Sequence, residues 1–329
     1  MNLATTYLGF RLPHPFIVGS GPLTDDIGMV CRLEDAGAAA FILRPLYEED
    51  VVEEQISAFF HSESHHDSFA EATSYSPDPQ QAPGPDEYLE HLRRVKDAVD
   101  VPVFAALDGH SLGGWTSYAR LLEQAGADAL ELNLYHAASD RETSGAEVER
   151  RMLEIVRSVK SGLRIPVAVK LSPLFTAFAH FATQLDTAGI DGLTLFTRFH
   201  RADIDVNELE IVRTFPLSDS SELLLRLRGV AMLAGRIRAS LAVSGGVHNV
   251  LDVVKATMVG ADAVQMVSAL VRNGPGHLRT LRADLEAWLA ENEWSSLEQM
   301  RGNMRFDRIP DPAAYERAHF RSGVCAKRE

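Results

Sequence analysis

The 329 residues hold only two cysteines, Cys31 and Cys325. Two thiols cannot build an iron–sulfur cluster or a disulfide framework, so the expected setting is a reducing cytoplasm. Long hydrophobic runs are missing too. No apolar stretch reaches the roughly 18 residues of a membrane-crossing helix, and no basic region precedes an apolar run at the N-terminus. Positive charge is scarce: 32 Lys and Arg against 46 Asp and Glu leave a net charge of −14. That balance speaks against nucleic acid or an anionic membrane as partner and for plain solubility. Neither a low-complexity tract nor a break in composition marks a second domain.

What the chain does have is a repeated grammar. Ala36-Gly37-Ala38-Ala39, Ala125-Gly126-Ala127-Asp128, Ala188-Gly189-Ile190-Asp191 and Val259-Gly260-Ala261-Asp262 each separate an amphipathic run from an apolar one. Glycine there suits the left-handed residue that closes a helix before a short loop. Apolar runs at Phe16–Gly21, Ala39–Leu46, Val103–Asp108, Ala129–Tyr135, Val167–Ser172, Leu193–Thr197, Leu241–Gly246 and Ala263–Ala269 read as eight strands. Unbroken apolar strands alternating with helices belong to a parallel sheet covered on both faces. Eight such units predict an α/β (β/α)₈ TIM barrel over residues 1–294. Residues 3–16 predict a short β-hairpin in front of it, ended by Pro13 and Pro15. Asp25 and Asp26 supply caps for the first helix. Long βα loops follow the second strand (Tyr47 to about Pro85) and the sixth (Arg198 to about Ser221), and both rise over the C-terminal rim, where such barrels work. The polar segment 295–329, broken by Pro310 and Pro312, reads as a tail packed on the barrel or on a partner subunit.

Some residues are not explained by the fold alone. The seventh and eighth strands end in Ser244-Gly245-Gly246 and Ser268-Ala269, small residues whose bare amides suit an anion such as a phosphate. Lys170 lies in Val167-Ala-Val-Lys-Leu171, inside a strand that should be buried. It needs an anionic partner, either a carboxylate closing the barrel or a ligand at the strand end. Asn133 can hydrogen-bond a heterocycle or satisfy its own backbone. Arg44 can reach an anion across the mouth or pair with Glu48 or Glu49. Thr197 and Arg198 end the sixth strand, where they can contact a phosphate or ribityl chain, with surface ion pairing the alternative for Arg198. Tyr135 and His136 follow the fourth strand, where an acid/base group meets a substrate, and imidazole titrates near neutrality. His61, Glu63, His65, His66 and Asp67 cluster in the second-strand loop, but their spacing matches no helical ligand pair, and no metal site is assigned.

Taken together, these residues resemble the class 1 dihydroorotate dehydrogenases over most of residues 3–290. The match lies in Pro13-His-Pro-Phe16 leading to Gly19-Ser-Gly21, in Leu130-Glu-Leu-Asn-Leu134, in Val169-Lys-Leu171, in Ser244-Gly-Gly246 and in Ser268-Ala-Leu270. The resemblance implies FMN as cofactor. It implies Gly245, Gly246, Ser268 and Ala269 on the flavin phosphate, with Ser244 in the same turn. Lys170 would lie at the N1/O2 edge of the ring, and Ser20, Gly21 and Asn133 around it. Arg44 stands where the family has a lysine. A small-molecule substrate, a homodimer and a soluble electron acceptor or redox partner protein are further expectations. The departures fall at the substrate. The family's cysteine base in Asn-x-Ser-Cys-Pro-Asn becomes His136 in Asn133-Leu-Tyr-His-Ala-Ala138, and its Asn-rich second loop becomes Ala72-Thr-Ser-Tyr-Ser-Pro-Asp78. The expected activity is oxidation or reduction of a CH–CH bond beside a carbonyl or amide, with hydride exchanged at flavin N5 and His136 or Tyr135 moving the proton. Two other readings stay open: a flavin-free lyase or isomerase acting on a phosphorylated substrate through Lys170, and a non-catalytic flavin-containing subunit.

Overall fold

The computed structural model describes residues 1–47, 85–109, 112–135, 140–198, 201–214 and 216–316. All eight expected strands form, with their ends shifted by a few residues. They are β3 (Phe16–Val18), β4 (Ala40–Tyr47), β5 (Val103–Asp108), β6 (Ala129–Leu134), β7 (Val167–Leu171), β8 (Gly192–Leu195), β11 (Ser240–Ser244) and β12 (Ala263–Met266). They pair in parallel and close on themselves, β12 against β3, so the sheet has no free edge. The chain is a (β/α)₈ barrel. The predicted hairpin is β1 (Thr5–Tyr7) with β2 (Phe10–Leu12), paired antiparallel.

The recurring grammar has a physical basis. Gly37, Gly126, Gly189 and Gly260 adopt φ of 98°, 99°, 90° and 115°, the left-handed turn that ends each helix. The aspartate two residues beyond then ties the next layer down. Asp128, Asp191 and Asp262 accept from the backbone N–H of Val103, Val167 and Leu241, the first or second residue of the preceding barrel strand, at 2.7, 2.7 and 2.8 Å. Acids near the helix ends do the complementary job: Glu34, Glu123 and Asp186 each accept from two loop amides. These bonds satisfy backbone donors that the helix-to-strand turns would leave bare. Of the two aspartates expected to cap the first helix, Asp26 does so, accepting from Gly28 and Met29, while Asp25 pairs with Arg44.

One expectation changes. The segment after β8, expected to be a loop, carries a ribbon of β9 (Arg201–Asp205) and β10 (Glu210–Thr214), with Ile204 opposite Ile211. Alternating apolar and acidic residues on either side of Asn207 supply the period-two pattern. In the tail, Leu297 and Met300 are buried, Arg301 pairs with Asp262, and the Arg236 guanidinium lies 4.2 Å over the Phe306 ring. The second-strand loop from 48 to 84, with its histidines and the 72–78 segment, lies outside the described residues, as do His136 and 317–329. Among the described residues no helix is long and apolar enough to cross a membrane.

Candidate active site

The C-terminal ends of the barrel strands open on a cavity of about 670 Å³. Most of the predicted residues meet on its wall: Ser20 and Gly21 beyond β3, Arg44 in β4, Asn133 and Tyr135 at β6, Lys170 in β7, Thr197 and Arg198 beyond β8, Ser244 and Gly245 at β11, and Ser268 beyond β12. Strand pairing explains the convergence. Asn133 is registered with Lys170, Lys170 with Thr194, and Ser244 with Gln265, so their side chains share the inward face at similar depth. Gly246 and Ala269 are buried beside the cavity and do not line it.

The anion turn is less open than its small residues suggested. A Cβ on Gly246 would lie 2.5 Å from the Leu223 backbone nitrogen, and φ there is +81°, so only glycine fits. Its N–H donates to Ser218 Oγ at 3.4 Å, and the Ser218 N–H donates to Ser268 Oγ at 3.1 Å. The chain after the ribbon therefore folds back onto this turn, a tertiary contact that no local pattern announces. Beside it, Arg198 grips Glu222 with two bonds of 2.9 Å, and Arg226 is buried against the carbonyls of Ser244 and Glu222. Burial pushes the Arg226 guanidinium down to about 10.

Arg44 pairs with Asp25 from the loop after β3, and its expected partners Glu48 and Glu49 lie outside the described residues. Lys170 has the carboxylate partner that its burial called for. Its Nζ donates to Glu131 Oε1 at 3.1 Å and to Gln265 Oε1 at 3.4 Å, while the side chain still lines the cavity floor. Glu131 Oε2 accepts from Thr194 Oγ1 at 2.9 Å and from Gln265 Nε2 at 2.6 Å, and Tyr7 reaches Thr194 Oγ1 at 3.2 Å. Burial, and then the charge of Glu131, drives the Tyr7 hydroxyl pKa upward, so it stays a neutral donor.

Glu131, Thr194 and Gln265 are the residues that the sequence reading passed over. Each is a polar side chain inside a run read as a buried strand, and Glu131 lies two residues before Asn133, hence on the same face. That was the available signal. Asp108, at the end of β5, also lines the cavity.

Among the described residues, four buried side-chain polar atoms have no hydrogen-bond partner, and two of them, Asn133 Oδ1 and Thr197 Oγ1, belong to this wall. Buried polar atoms are rarely left so, because each forfeits its hydration for nothing. A ligand with polar edges accounts for both. The volume lies in the range of cofactor pockets. A hydroxyl, a carboxamide and an ammonium on one wall fit the polyol and heteroaromatic edge of a flavin mononucleotide.

A model of the family described as dihydroorotate dehydrogenase matches residues 80–289. The putative dihydroorotate dehydrogenase A (fumarate) of Aeropyrum pernix is 32% identical over 225 residues, 67% of this chain and 73% of that protein. The catalytic subunit of dihydroorotate dehydrogenase B (NAD(+)) from Thermoplasma volcanium is 26% identical over 313 residues, 92% of this chain and 98% of that one. The NAD-dependent dihydropyrimidine dehydrogenase subunit PreA of Escherichia coli is 22% identical over 329 residues, 94% and 78% respectively. With its barrel, its strand-end residues and these matches, the chain belongs to the dihydroorotate dehydrogenase family of flavin-dependent oxidoreductases.

Proposed function

We propose that the protein binds FMN in this cavity and catalyses oxidation or reduction of a CH–CH bond adjacent to a carbonyl or amide of a small molecule. The observation that carries this reading is the pair of unpartnered polar atoms, Asn133 Oδ1 and Thr197 Oγ1, on the same wall as the Lys170 ammonium. When bound, FMN would supply the hydride acceptor or donor at N5. Lys170 has one N–H beyond the two given to Glu131 and Gln265, and it would place positive charge where the reduced ring carries negative charge. Asn133 and Thr197 would fix the ring and the ribityl chain. Ser244, Gly245 and Ser268 would hold the phosphate end, beside the buried Arg226.

The proton on the neighbouring substrate carbon falls to Tyr135, which lines the cavity, or to His136, which follows it in sequence. The family's asparagine-rich substrate loop and cysteine base are both replaced here, so the substrate differs from dihydroorotate while remaining an activated CH–CH compound. With two cysteines in the chain, electrons leave through a soluble acceptor or a redox partner protein rather than an iron–sulfur centre. A Schiff-base lyase would need a lone pair on Lys170, whereas both contacts of Nζ are to acceptors.

The test is the purified protein mixed with FMN and gel-filtered. Flavin absorbance that travels with the protein supports the reading, and a colourless protein ends it. Anaerobic reduction by candidate substrates then separates the proton carriers: the slower of Tyr135→Phe and His136→Ala, with flavin content unchanged, names the group. A flavin that binds but is reduced by no candidate donor points to the non-catalytic subunit.

A further inference from the structure

Beneath the cavity floor, Glu131 accepts three hydrogen bonds at the barrel centre. It is 1% exposed, and its two oxygens accept from Lys170, Thr194 and Gln265. The donor roles are forced. Thr194 gives its only hydroxyl proton to the carboxylate, so the Tyr7 hydroxyl must donate to Thr194 Oγ1. Gln265 gives one N–H to Glu131, offers Nε2 to Thr194 Oγ1 at 3.1 Å and turns its oxygen to Lys170. Every dipole in the set points toward the carboxylate, which satisfies its oxygens in a place where polar atoms are costly to bury.

Such a network exceeds what packing needs. The neighbouring inward positions Ala106, Ala168 and Ala242 are alanines and leave no polar group to satisfy. Of the five networked side chains, only Lys170 and Gln265 reach the cavity wall. Whatever the network does for a ligand, it does through Lys170 and Gln265, and only Lys170 carries a charge.

The geometry points to Glu131 as a positioning residue that holds the Lys170 ammonium at the cavity floor and weakens its electrostatic pull on the cofactor. This rests on the FMN reading above. Lys170 alone would favour the reduced, more negative ring, and a carboxylate 3.1 Å behind it offsets part of that preference. The pair thus sets the potential of the site, with the lysine drawing it up and the glutamate drawing it down.

The experiment is a redox titration of the FMN-loaded protein against dyes of known potential. Glu131→Gln keeps the shape and most hydrogen bonds but removes the charge. Its two-electron reduction should become about tenfold more favourable, a rise of about 30 mV. Glu131→Asp, which draws the carboxylate back from Lys170, should raise the potential by a smaller amount, and it keeps the inference testable where Glu131→Gln fails to fold. A folded, flavin-bound variant with the parent's potential overturns the inference, because a purely structural carboxylate would cost stability and leave the potential alone. A parent protein that takes up no flavin overturns the functional reading and this inference together. A flavin-binding parent with unmoved variants overturns only the second.

Discussion

The two halves of the barrel's interior are built from the same strands and the same pleat, yet they share almost no chemistry. Along β7 the inward residue changes from Ala168 to Lys170, along β12 from Ala263 to Gln265, along β8 from Gly192 to Thr194, and along β5 from Phe104 and Ala106 to Asp108. Below that level the lumen is sealed by the hairpin, whose Tyr7, Leu8 and Leu12 pack against Phe104, Ile17 and the alanine layer. Above it these strands turn polar or charged side chains inward, beside apolar wall residues such as Leu217, Val267 and Val271. Tyr7 joins the halves, with its ring in the apolar plug and its hydroxyl on Thr194. The lesson is that depth, not face, decides what a side chain does here: the lower half supplies stability and the upper half supplies a site.

That division can be broken most severely at Lys170. Lys170→Met leaves Glu131 buried without its counter-charge, at a cost of about 3–5 kcal/mol. The same change should slow substrate-dependent flavin reduction by about 100- to 1,000-fold, as the loss of a group that stabilises developing charge does. Denaturant melts and anaerobic stopped-flow measure the two effects, and a stable variant with full rates would erase the boundary between the halves.

In the plug, Leu12→Ala should cost about 2–5 kcal/mol by leaving a cavity, because the side chain is 1% exposed. Flavin bound per folded molecule should stay at the parent level. Loss of flavin affinity in a protein still folded would show that the plug is part of the site.

His14, on the turn between hairpin and barrel, sharpens the same contrast through pH. Burial, with the nearby Arg282 charge, lowers its imidazole from 6.5 to about 4, and its Nδ1 accepts the Phe16 amide. Between those values the unfolded chain binds the proton and the folded chain does not. Stability therefore falls as pH drops through that window, by up to about 3 kcal/mol near pH 4. His14→Gln should flatten that part of the urea-stability curve between pH 7 and 4.5. An unchanged slope would assign the acid sensitivity to other groups.

The smallest effect expected is at Thr197. Its hydroxyl lacks a partner among the described residues, so Thr197→Val should leave the flavin-free protein as stable as the parent or slightly more so. FMN affinity should fall roughly tenfold, the value of one hydrogen bond of about 1.4 kcal/mol. Thermal melts with and without FMN read both numbers, and a variant that binds FMN as tightly as the parent would remove Thr197 from the cofactor contacts.

Much of this was legible in the chain because it is local. Apolar runs, glycines at φ near 100° and the aspartates after them are determined within a dozen residues, so strands, helices and barrel closure could be read in advance. Lys170 and Asn133 stood out because polar groups in buried strands need partners. The ribbon after β8 was missed because its alternation is short and has no core to report on. Ser218 on Gly246, and Asp25 on Arg44, join segments 28 and 19 residues apart, and no periodicity encodes such pairings.

The sequence alone determined an eight-unit parallel barrel and which polar residues it would carry inward, because side-chain period and turn chemistry act over a few residues. Tertiary structure decided who meets whom. Glu131 and Gln265 are 134 positions apart, and only closure of the barrel brings them to 2.6 Å, because eight separate strands must share one axis before their inward groups can converge.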